Sequence, residues 1–304
     1  MLTFFTTAKP FRGHSGVIQR NALESWKRFD PDVEIILFGD DEGAREICAE
    51  LGLRHEPHVE RHESGMKYLN YMFARAQEIA RHNYLCYSNC DIVFGKDFRQ
   101  AFGKAADWQK RFLLIGRRWD TDITEPIDFQ NPNWAKDLQE RALTTGSHQT
   151  PVFVDFFAFT KGMYPDVPPL VVGRSYWDHW LVWKALSQDI PVIDASDFVV
   201  AVHQNHDYGY HPQGKQGTNV DPLAMQNWQL SGGGEHLRSI PDATYQLSPF
   251  GHIHKTRLAG VKSKLSQFKP WRRLMNLTFP LRKRVGLRKQ TFYRIMRSLT
   301  RPAG

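Results

Sequence analysis

A chain of 304 residues is long enough to bury one large core or two smaller ones, and its 20 Phe, 10 Tyr and 9 Trp can fill a core or line sugar and base pockets. Its three cysteines, Cys48, Cys86 and Cys90, lack the spacing of a disulfide scaffold or a zinc site and suit a reducing cytoplasm. The net charge of +8 is unevenly held: residues 255–304 carry 15 Lys and Arg and no acid, leaving 25 basic against 32 acidic residues upstream, so a body, 1–250, is distinguished from a basic tail, 251–304.

The N-terminal Met1-Leu-Thr-Phe-Phe-Thr-Thr has no basic segment and no small-residue cleavage site, and it reads as a first strand over 2–7 rather than a signal peptide. No run approaches the roughly 20 apolar residues that cross a bilayer. A helix is predicted over 14–28, with Val17, Ile18, Leu23 and Trp26 inward, stopped by Asp30-Pro31. The near-continuous apolar run VEIILF at 33–38 suits a strand covered on both faces. It ends in Gly39-Asp40-Asp41, and a helix over 42–51 follows, capped by Gly52.

This β-α-β-α alternation predicts an α/β fold, a mostly parallel sheet with crossover helices. Such sheets bind ligands beyond the carboxyl ends of their strands. That directs attention to Thr6–Lys9, Gly39–Asp41 and Asn89–Asp91.

A helix over 67–81 buries Leu69, Met72, Phe73, Ala76 and Ile79. Lys67 near its start is either a solvated lysine or a phosphate contact. The run YLCYSNCDIVF at 84–94 then reads as a strand, in which Asn89 and Asp91 share one face and Cys90 the other. An amide oxygen and a carboxylate aimed at one point can hold a hard divalent cation; the same residues also suit a turn. FLLIG at 112–116 is a further strand, and 121–150 reads as loop around a helix at 134–143.

The strand VFVDFFAF at 152–159 places Asp155 among apolar residues, where it must be paired or belong to a site. A helix to residue 187 opens with Trp177 and Asp178, either a helix-terminal acid or part of a pocket wall. Short strands are expected at 191–194 and 198–203. The second ends in His203-Gln-Asn-His-Asp-Tyr208, whose histidines can ligate a metal or contact phosphate. Residues 209–222 read as a lid.

In the tail, Leu287, Phe292, Ile295, Met296 and Leu299 can share one helical face, with Arg288, Lys289, Arg294 and Arg297 largely elsewhere. That pattern suits an anionic membrane surface. Nucleic acid is not an expected partner, because no recognised binding module is present.

The phrases FFTTAKPF, EIILFGDDEG, YLCYSNCDIVFGKDF, GRSYWDHWLVWKA and HQNHDY, in this order across residues 1–250, resemble the nucleotide-diphospho-sugar transferases of the GT-A fold. The triplet Asn89-Cys90-Asp91 stands where that fold carries its Asp-x-Asp motif. The resemblance implies a Rossmann-type sheet flanked by helices and a glycosyltransferase using a nucleotide-sugar donor and Mn²⁺ or Mg²⁺. It implies that Asp91, Asn89 and His203 hold the cation. Thr6, Thr7 and Lys9 would lie by the base and ribose, with Asp40 at the next strand end. Lys67 and His206 would meet the diphosphate, Trp177 would line the pocket, and Asp178 would be the base on the acceptor side. The implied acceptor is a glycan or lipid-linked hydroxyl in surface-polysaccharide assembly, and the implied location is cytoplasmic, peripheral on the inner face of the membrane. Asn89 departs from the usual first Asp, which lowers the site's charge and permits a neutral ribose contact instead. A nucleotidylyltransferase is disfavoured because no Gly-rich, Arg-containing loop follows the first strand. The rival of a different class is a non-catalytic binding protein of the same fold.

Overall fold

The two phenylalanines of the first strand face opposite ways, as the strand period requires, and so define two helical layers. Phe4 stacks on Trp26 at 5.1 Å, and Phe5 meets Phe73 edge-on at 4.9 Å. The computed structural model describes residues 1–207 and 221–256.

In chain order the described residues open with β1 (Thr3–Thr7), α1 (Gly13–Lys27), β2 (Glu34–Phe38), α2 (Ala44–Leu51), β3 (Arg54–Glu56), α3 (Leu69–Ile79) and β4 (Tyr84–Ser88). They continue with β5 (Ile92–Val93), α4 (Lys96–Trp108), β6 (Leu113–Ile115), β7 (Arg118–Thr121), α5 (Trp134–Thr145), β8 (Ser147–His148) and β9 (Phe156–Thr160). The last elements are α6 (Trp177–Ser187), β10 (Val192–Asp194), β11 (Ala201–Gln204), α7 (Pro222–Leu230), β12 (Tyr245–Leu247) and β13 (Ile253–Lys255).

The main sheet has nine strands in the order β13-β12-β10-β6-β9-β4-β1-β2-β3. Pairing is parallel except where β9 joins β4 and β6, and where β13 closes the edge against β12. The fold is thus α/β with a large, mostly parallel sheet flanked by helices, as the alternation predicts. Its faces are almost wholly apolar, and aromatic rings interlock on both: Phe94 stacks on Phe98 at 4.2 Å on one, Phe73 on Phe159 at 5.6 Å on the other. Much of the aromatic content therefore serves the core rather than a ligand.

A second sheet, ordered β5-β11-β7-β8, branches off beyond the end of β4. Helix α1 is tied to it by buried polar groups. Trp26 Nε1 donates to Ile92 O at 2.8 Å, Gln204 Nε2 to Ile18 O at 2.7 Å, and Asn21 Nδ2 to Gln204 Oε1 at 2.8 Å. Each buried donor costs about 1–3 kcal/mol if left unpaired, so this network specifies one docking of helix on sheet.

Two expected strands are shorter than their apolar runs. The strand predicted over 84–94 stops at Ser88, because Ile92 N donates back to Asn89 O at 3.3 Å and closes a turn. The strand predicted over 152–159 begins only at Phe156, because Asp155 faces polar partners instead of the core. Gly52 does cap α2, at φ 64°. Strands β7, β8, β12 and β13 arise in stretches without a clear alternation. Almost all of the lid segment at 209–222, and the tail beyond 256, lie outside the described residues. Among the described residues no helix is long and apolar enough to cross a membrane.

Candidate metal centre

The second sheet assembles the site. Strand β11 lies between β5 and β7, with His203 opposite Ile92 on one side and Asp120 on the other. Asp91 occupies the turn immediately before β5, and Gln204 N donates to its carbonyl at 3.2 Å. His203 Nε2 consequently stands 3.7 Å from Asp91 Oδ2, and His206, on the segment leaving β11, brings its Nε2 to 3.2 Å from the same oxygen. One ligand atom from each of Asp91, His203 and His206 falls within 4.8 Å of the others. A cation bound about 2.0–2.3 Å from each donor would bridge that spacing with slight closure. Asp91 Oδ2 faces both histidines, while Asp91 Oδ1 is buried and has no hydrogen-bond partner among the described residues, so a carboxylate lone pair of this group remains to be satisfied.

The electrostatics favour an ionised carboxylate there. Burial alone would raise the Asp91 pKa, but His203, His206 and Arg118 together outweigh it and hold the group well below the usual carboxylate range. Asp120 is likewise lowered: burial opposes ionisation, and His203 and Arg118 overcome it. Lys9 sits at the rim, where lost hydration lowers its pKa and the charges of Asp91 and Asp207 partly restore it. His206 and Asp207 also line a cleft of about 470 Å³ with Asn205 and with Arg12, His14 and Ser15 at the start of α1.

The other expected site residues divide. Asn89 is turned away from the cation group: its side-chain amide donates to Asp155 Oδ1 at 2.8 Å, and its backbone N to Asp155 O at 3.0 Å. The expectation that Asn89 and Asp91 project together fails because the strand geometry it assumed ends at Ser88. His206 stands in Asn89's place beside Asp91 and His203. Thr6 and Thr7 use their hydroxyls on the sheet, donating to Ser88 O at 2.7 Å and Phe38 O at 2.9 Å. Lys67 is buried, with its ammonium held by the Asp41 carboxylate and by Ala8 O at 2.8 Å. The left-handed Gly39 (φ 111°) makes that pair possible, since a Cβ there would strike the Lys67 side chain at 2.9 Å. Asp40 is exposed, and the hydrogen bond from Arg61 at 2.6 Å lowers its pKa. Trp177 belongs to the core, edge-on to Tyr87 at 5.3 Å.

Asp178 follows Trp177 in the first turn of α6, after Tyr176 in the left-handed region at φ 87°. Burial raises its pKa and the charge of Asp155 adds to this, against a lowering by His179. Its Oδ1 is buried without a hydrogen-bond partner among the described residues.

Sequence reasoning missed Arg118 and Asp120. Their two-residue spacing is a signal, since it places both on one face of a strand, but the polar stretch after FLLIG carries no apolar alternation to mark a strand. It also missed Arg12, His14 and Ser15.

The class of protein to which the chain is similar in structure is the nucleotide-sugar glycosyltransferases. One such structure is S. aureus TarS 1–349 in complex with UDP-GlcNAc, at TM-score 0.47 and 12% identity; it covers 67% of this chain, and this chain spans 58% of its length. Another is glucosyl-3-phosphoglycerate synthase from Mycobacterium tuberculosis in complex with Mn²⁺, UDP and phosphoglyceric acid, at TM-score 0.46 and 9% identity, covering 84% of this chain and 86% of that one. No protein-family model matches the chain, and no curated protein matches its sequence.

Proposed function

We infer that the chain is an enzyme that transfers a sugar from a nucleotide-diphosphate sugar to a hydroxyl acceptor. The observation that carries this reading is the group Asp91, His203 and His206 at the carboxyl-end side of a mostly parallel sheet, with His206 shared between that group and the 470 Å³ cleft. A cleft of that size lies within the range that takes a small ligand such as a nucleoside diphosphate. The order of sequence phrases that resembles the GT-A transferases supports the same reading.

The donor set fits a divalent cation, and its two imidazoles suit Mn²⁺ better than Mg²⁺, which prefers oxygens and retains its waters. A cation there would neutralise charge developing on the departing nucleoside diphosphate. Asp91, His203 and His206 would hold it, and Lys9 would add positive charge nearby. Asp178 is the proposed base for the acceptor hydroxyl; it is not among the residues lining the 470 Å³ cleft and its Oδ1 is buried, so an acceptor would have to open a path to it. Its raised pKa makes it a stronger base than an exposed aspartate. The basic tail docks the enzyme on an anionic, cytoplasm-facing membrane where a lipid-linked acceptor resides, as its 15 cations and interleaved aromatic residues suggest.

The test is release of nucleoside diphosphate from a panel of UDP- and GDP-sugars with Mn²⁺ present. Turnover of one donor supports the enzyme. Binding of a donor with no turnover of any, with or without simple sugar acceptors, favours the non-catalytic alternative. For the tail, co-sedimentation with phosphatidylserine vesicles is expected from the full chain and not from one truncated after residue 256; retention after truncation overturns the membrane role.

A further inference from the structure

The cation group rests on a second set of side chains that share one buried guanidinium. Arg118, in β7, is 5% exposed. Its Nε donates to Asp120 Oδ1 at 2.8 Å and its Nη1 to Asp155 Oδ1 at 2.7 Å. The two carboxylates lead to the two halves of the site. Asp120 Oδ1 lies 3.1 Å from His203 Nδ1, and Asp155 receives both the side chain and the backbone N of Asn89, at the start of the turn that carries Asp91. We propose that Arg118 is the positioning residue of the cation site, holding His203 through Asp120 and the Asp91 turn through Asp155 and Asn89. The inference rests on the cation reading of Asp91, His203 and His206.

Two features follow from this arrangement. Asp120 Oδ1 faces His203 Nδ1 at 3.1 Å, off the line of a good hydrogen bond, and since an ionised carboxylate repels a lone pair it favours a proton on Nδ1, which leaves Nε2 to turn toward Asp91 and a cation. Asn89 is an amide for the same reason: Asp155, already committed to Arg118, can only accept, and an aspartate at 89 would set carboxylate against carboxylate at 2.8 Å.

The experiment is Mn²⁺ binding to the full chain, followed by calorimetry and by the loss of the free-ion EPR signal. Wild type is expected to bind one ion competitively with Mg²⁺; no binding by wild type overturns the cation reading itself. Given that binding, Arg118→Met is expected to weaken it by about 10–100-fold, and Arg118→Lys, which cannot fork to both carboxylates, to recover only part. An unchanged Mn²⁺ affinity in folded Arg118→Met overturns the proposal. Asn89→Asp separates positioning from simple charge: weaker Mn²⁺ binding supports the relay, whereas tighter binding overturns it, because the added carboxylate would then be acting as a ligand. A readout that needs no variant is the ¹⁵N spectrum of the His203 ring in wild type saturated with Mg²⁺. A proton retained on Nδ1 is expected, and a proton on Nε2 with Nδ1 bare contradicts the relay through Asp120.

Discussion

The two sheets of this protein are built on opposite terms. The nine-stranded sheet is apolar on both faces; its polar strand-end groups, such as Thr6 and Thr7, and Lys67 in the loop before α3 are used internally to bind one strand or loop to the next. The four-stranded sheet is short, and its polar residues Arg118, Asp120, His203 and Gln204 are buried or half-buried in ion pairs and hydrogen bonds. The first holds its shape by area and packing. The second depends on mutual satisfaction of charges, which is worth little in net stability but holds side chains in one geometry. The larger sheet thus supplies stability and the smaller one carries the candidate site.

Substitutions can break this division if it is wrong. The largest effect is expected from Asp91→Ala, which removes the shared carboxylate: donor turnover should fall by about a thousandfold or more. Its lowered pKa means that the ionised group favours the folded state, so the unfolding midpoint should drop, but by less than for a core truncation. A loss as large as a core truncation's would mean that Asp91 belongs to the scaffold. Asp178→Asn should lower kcat by about 10²–10⁴-fold with donor affinity nearly unchanged, as expected for a lost base. Phe73→Ala, in the main sheet's helical layer, should do the converse. It removes a ring packed on Phe5, Tyr87, Phe159 and Tyr164 and is expected to cost about 3–5 kcal/mol by denaturant unfolding, with Mn²⁺ affinity of the folded fraction retained.

A pH profile sharpens the same contrast. As the proposed base Asp178 would have to be ionised, and its pKa is raised, first by burial. Activity should therefore rise with pH through a transition above the usual aspartate range. Removing the Asp155 charge by Asp155→Asn should move that transition to lower pH, and a shift upward would contradict the assignment. The smallest effect is expected from Lys9→Met, about a two- to fivefold rise in the KM for donor that shrinks further in high salt.

The main sheet was legible in the sequence because its signals are local. A 3.6-residue period marks α1 and α3, a near-continuous apolar run marks β2, and Gly52 marks the end of α2. The site was legible only as separate clusters. His203 and His206 stood out as a dense polar pair after an apolar strand, and Asp91 as an acid ending another. That they meet depends on β11 pairing with β5 across more than 100 residues, which no local pattern encodes. Asn89 was misread for a related reason. The rule that i and i+2 share a face was applied past Ser88, where the chain had already turned. Lys67 and Trp177 had the right chemistry for a ligand, but Asp41 and Tyr87 claim them first.

The most direct test of the central claim is nucleoside diphosphate binding with and without Mn²⁺, measured by calorimetry on wild type and on Asp91→Ala. The account predicts binding of at least one of UDP and GDP that requires the cation, strengthens its retention in turn, and disappears in Asp91→Ala. Binding that is indifferent to Mn²⁺ and survives Asp91→Ala would contradict it.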